Sequence, residues 1–142
     1  MAEVMVASFV LLFGIASAII VIQMGVRALD TARNTTLAAQ ILQSEMERIR
    51  LLNWTAVNSL PASTEVDIHS ILPEDLPSIS DLDSRFTVMR AATDVSGKTG
   101  EMKHITVTVT WRGIDGIGHT RSATTHYCKE GLYAYYYTKA QS

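Results

Sequence analysis

Residues 2–26 read AEVMVASFVLLFGIASAIIVIQMGV, and the 23 residues from Val4 to Val26 carry no charge. As a helix rising about 1.5 Å per residue, that run extends roughly 34 Å, enough to cross the ~30 Å hydrocarbon core of a bilayer. The pattern predicts an apolar helix over 1–26 that sits in a membrane or is covered by other apolar surfaces. A cleavable signal peptide fits poorly. Glu3 stands where Lys or Arg belongs, and the segment from Ile19 to Ile22 prolongs the run past the small-residue triplet Ala16-Ser17-Ala18. Read as a plain anchor, the run would keep Arg27 and Arg33 in the cytoplasm, with the following residues beside them. Glu3 itself is favoured by the helix N-terminus, yet a carboxylate at the mouth of a membrane helix is costly to leave unpaired. Such a carboxylate either sits in the interface or pairs with a positive group on another copy.

Working outward, charges return after Arg27. Leu29, Ala32, Leu37, Ile41, Leu42, Met46, Ile49 and Leu52 follow three-and-four spacing, which predicts that the helix continues as an amphipathic segment over 27–53. Asp30 with Arg33, Glu45 with Arg48 and Glu47 with Arg50 are spaced as i,i+3 pairs on it. Pro61, Pro73, Pro77 and many Ser, Thr and Asn residues mark 54–84 as a connecting region, with Val66-Asp67-Ile68 as a short strand within it. The acidic residues Glu74, Asp75, Asp81 and Asp83 lack a calcium-loop consensus and read as a solvated loop.

Strands occupy 85–142. Arg85 to Ala91 alternates, and Ile105-Thr106-Val107-Thr108-Val109-Thr110-Trp111 alternates apolar residues and threonine without a slip. Glycine-rich turns at 97–100 and 113–118 flank that run and lead to a polar strand over 119–127; Leu132 to Thr138 suggests an edge strand. The fold class is therefore α+β. The long N-terminal helix has an apolar first half, and its C-terminal half packs on a small antiparallel sheet, covering Ile105, Val107, Val109 and Trp111.

Twelve Lys and Arg against fourteen Asp and Glu leave a net charge of −2, so no bulk positive field draws the chain to nucleic acid. His69, His104, His119 and His126 are dispersed, and Cys128 is alone. No phosphate-binding glycine loop, metal-ligand spacing or nucleophile motif appears, so the sequence points away from catalysis, cofactors and metals. Asn34-Thr35-Thr36 and Asn53-Trp54-Thr55 match the glycan acceptor triplet.

Ala2-Glu3-Val4-Met5-Val6-Ala7, the apolar helix after it and the charged continuation through Glu45-Met46-Glu47-Arg48-Ile49-Arg50 resemble the amino-terminal region of type IV pilins and type II secretion pseudopilins. The match covers about the first 53 residues and looks most like the branch holding minor pilins and minor pseudopilins. In that family a peptidase removes a basic leader and methylates the new amine, and a glutamate fifth in the processed chain neutralises a neighbour's N-terminus. The resemblance implies the same assembly role for Glu3, third here, and for the Met1 amine. Ile20 stands where the family frequently has a proline, which leaves Gly14 and Gly25 as the weak points of the helix and centres any local unwinding near Gly14. The small residues Ala7, Gly14, Ala18 and Gly25 permit close helix packing.

The implied function is structural. Copies wait in the bacterial inner membrane, then polymerise through the helix into an extracellular pilus-like filament, with prepilin peptidase and the assembly machinery as further partners. Two alternatives keep the fold: a minor pilin or pseudopilin that primes or caps a secretion pseudopilus, and an anchored binding module that does not polymerise.

Overall fold

The computed structural model describes residues 2–71, 84–129 and 131. One unbroken helix, α1 (Ala2–Arg50), is followed by a short helix α2 (Trp54–Asn58) and four strands, β1 (Ser63–Val66), β2 (Phe86–Asp94), β3 (Met102–Arg112) and β4 (Gly118–Cys128). The strands form one antiparallel sheet in sequence order. α1 runs straight through Gly14 and Gly25 with no interruption. Its N-terminal half projects from the molecule, every residue from Glu3 to Leu29 being exposed.

The C-terminal half of α1 covers one face of the sheet. Ala38, Ile41, Leu42 and Ile49 meet Phe86, Val88 and Ala92 of β2 and Ile105, Val107, Val109 and Trp111 of β3 in a single core that also takes in Val57, Val66 and Ile68. This two-layer arrangement is the α+β architecture that the helical and alternating patterns dictate. β3 is buried at every second residue from Lys103 to Trp111, as a strand with one face against a helix must be.

The buried stripe of α1 differs from the one expected. Leu29 is 73% exposed, so the packed face starts at Asn34 and includes that side chain and Glu45, both fully buried. Asp30 does not pair with Arg33; it reaches to the sheet instead. The other two helical pairs form as spaced, Arg48 donating to Glu45 and Arg50 to Glu47, each at 2.7 Å.

The connecting region carries more structure than its composition suggests. Asn53 caps α2 by accepting from the Ala56 N–H at 2.9 Å. The strand expected at 66–68 lies earlier, at β1, where Val66 faces Val88; Asp67 then caps a 3-10 turn over Ile68–Ser70. The acidic cluster at 74–83 and the edge strand expected over 132–138 fall outside the described residues, as does Met1.

Candidate functional site

The surface that stands out is the free half of α1. Val4, Phe9, Leu12, Phe13, Ile20 and Ile22 are each at least half exposed, as are most of their apolar neighbours. Water-exposed apolar area of this extent is far beyond what a monomeric soluble protein carries, so something must cover it. By length and composition the helix can cross a membrane. Ser8 and Ser17 return their hydroxyl protons to the carbonyls of Val4 and Phe13, both at 2.8 Å, so neither polar group needs water or another partner.

Glu3 lies in the first turn and is exposed. Ala7, Gly14, Ala18 and Gly25 are exposed too. At 100° per residue, their spacings of seven, four and seven residues return them to one side of the helix, giving a shallow side on which another helix could lie close. A Cβ added at Gly14 or Gly25 would meet nothing within 4 Å, so no contact inside the chain requires glycine there.

Three polar bridges fix the C-terminal half of α1 and the residues just after it to the sheet domain, and so set where the free half projects. At the point where α1 leaves the sheet, Asp30 accepts from the Ile114 backbone N–H at 3.0 Å, from Asn34 at 3.0 Å and from Arg85 at 3.2 Å. The Ile114 amide, opposed by partial desolvation and helped by Arg85 and Asn34, holds the Asp30 carboxyl below its ordinary value of 3.8. Four turns later Glu45 is gripped from two sides, by Arg48 on the helix and by Arg90 of β2, whose Nη1 donates at 3.0 Å. At the far end the Tyr127 hydroxyl donates to the Leu52 carbonyl, and its ring stacks on Trp54. The helix is thereby held at its exit, its middle and its end.

None of these long-range bridges is visible in sequence spacing. Nor is the pairing of His104 with His126, register partners on the open face of the sheet with ring centres 5.0 Å apart. His119 lies on the opposite face, stacked on Trp111. Among the described residues, no group of three or more His, Cys, Asp or Glu side chains could hold a metal ion. Cys128 is buried, and burial pushes its thiol up despite the opposing charge of Lys98. The Asn34 triplet offers no accessible glycan acceptor, because its side chain is buried and committed to Asp30; Asn53 caps α2.

Comparison with protein-family models, curated proteins and solved structures gives no match to this chain.

Proposed function

We propose that the chain is a structural subunit of a type IV pilin-like filament, anchored by α1 in the bacterial inner membrane before assembly and carried outside in the polymer. The observation that carries this reading is the contrast along one continuous helix. Residues 3–29 are wholly exposed and almost uncharged, whereas the same helix from Asn34 onward is built into the sheet domain. A rigid apolar stalk on a folded head can exchange lipid for the stalks of other copies, since both environments bury the same surface.

Within this reading Glu3 compensates a terminal amine on an adjacent subunit, and prepilin peptidase and the assembly machinery act on the N-terminal segment. The side bearing Ala7, Gly14, Ala18 and Gly25 supplies close approach between stalks. The sheet's outer face, away from α1, is left for display. Glu3→Ala tests the assignment: filament yield falls sharply while membrane insertion and sheet folding persist. Undiminished yield from that variant would remove the pairing role.

A further inference from the structure

We infer that the β3–β4 hairpin tip, residues 113–118, is a second membrane contact that seats the sheet domain on the lipid interface before assembly. The inference rests on the reading of α1 as membrane-spanning. The tip holds two isoleucines, Ile114 and Ile117, that are 67% and 58% exposed although a turn needs no apolar side chain. Its conformation is fixed. Gly116, at φ 76°, donates to the Gly113 carbonyl at 2.9 Å, Gly113 donates to the Ile117 carbonyl at 3.0 Å, and Asp115 accepts from the Ile117 N–H at 3.0 Å.

The fold brings this tip to the one place where lipid is close. The Ile114 amide is bonded to Asp30, and Asp30 lies four residues past Val26, the last residue of the uncharged run. Four residues are about 6 Å of helix, and the headgroup layer outside the hydrocarbon core is about 5–7 Å thick on each side. Ile114 therefore sits at headgroup depth when residues 4–26 span the core, the depth at which apolar side chains of peripheral segments bury themselves. Leu29, beside Asp30 on the helix, is 73% exposed and carries the apolar surface of the stalk to the level of the tip.

The charges around the tip suit the same occupant. Arg27 and Arg33 on α1 and Arg112 at the end of β3 are exposed; Arg85, just before β2 at this same end of the sheet, is paired with Asp30. The acidic groups among the described residues at this end include Asp30, bonded to Arg85 and the Ile114 amide, Asp115, which accepts from the Ile117 N–H, and Asp67, just past β1 and engaged in capping the 3-10 turn. Arginines ringing an apolar tip match a surface of anionic phospholipid headgroups.

The test uses the full chain in vesicles of phosphatidylcholine and phosphatidylglycerol, in a Cys128→Ala background. A polarity-sensitive fluorophore is placed in turn at Ile114→Cys, Leu11→Cys and Ser96→Cys, the last in the turn at the opposite end of the sheet. The expected result is quenching at 114 by lipids spin-labelled near the headgroup. Quenching there by aqueous iodide should be several-fold weaker than at 96, while position 11 responds to lipids spin-labelled at the chain terminus. Equal iodide access at 114 and 96, with position 11 still in lipid, would overturn the hairpin contact alone. Shielding of 114 without lipid quenching would assign the tip to another copy and equally overturn it. Loss of lipid quenching at position 11 would refute the membrane reading beneath both.

Discussion

Glu45→Ala should be among the most damaging single substitutions in the sheet domain. The carboxylate is fully buried and bridges Arg48, 39% exposed, and Arg90, 11% exposed. Removing one member of a buried pair costs about 3–5 kcal/mol, because the remaining charge stays desolvated without compensation. Arg48 can turn to water, so its share is small. Arg90 cannot, and its Nε already lacks a partner among the described residues. The lower end, about 3 kcal/mol, is therefore the expected loss. With a urea m-value near 1.5 kcal/mol/M, that lowers the midpoint by about 2 M. The assay is urea unfolding of the full chain in detergent in a Trp54→Phe background, followed by fluorescence of Trp111, which sits in the core between Phe86 and His119. A loss below about 1 kcal/mol, the range of exposed pairs, would refute the claim that Glu45 holds helix and sheet together.

Three further outcomes follow from the same contacts. Asp30 has a lowered folded-state pKa, so its contribution is fully present above its ordinary value of 3.8 and fades as pH falls through that value to the lowered one. Unfolding curves of the wild type and Asp30→Asn should accordingly lie apart at neutral pH and converge in acid; a constant gap would contradict the bridge to Ile114 and Arg85. Ile41→Ala, at a fully buried contact of α1 with the sheet, should cost about 2–5 kcal/mol by calorimetry and leave membrane association unchanged. Cys128, buried and with a raised pKa, should react with iodoacetamide at neutral pH far more slowly in the native chain than in urea; equal rates would mean that the end of β4 is open.

The sequence exposes some features of this molecule far more readily than others, and the reason is range. The uncharged run and the threonine alternation of β3 are local periodic signals, and a helix and a strand express them directly. The packed face of α1 is not local. Leu29 has the right spacing but lies beyond the edge of the sheet, whereas Glu45 is buried because Arg90, 45 residues away in the chain, comes to meet it. The bond between Asp30 and Ile114 spans 84 residues, and the His104 and His126 pair depends on hairpin register. β1 is hidden for another reason: Ser-Thr-Glu-Val is too short to show a period, and only its pairing with β2 makes it a strand. Ala7, Gly14, Ala18 and Gly25 share one side because they lie in a single helix, where spacing alone sets the face.

The central claim is that the exposed half of α1 is covered by other copies of itself. The direct measurement places a photo-crosslinking amino acid at Phe13, which is 74% exposed, in the chain expressed in its host, and analyses shear-released surface material after irradiation. Because each copy both donates and receives a link, the account predicts a ladder of the chain rising in 15.6 kDa steps. Lipid adducts at the monomer mass alone, with no chain in the sheared material, would contradict it.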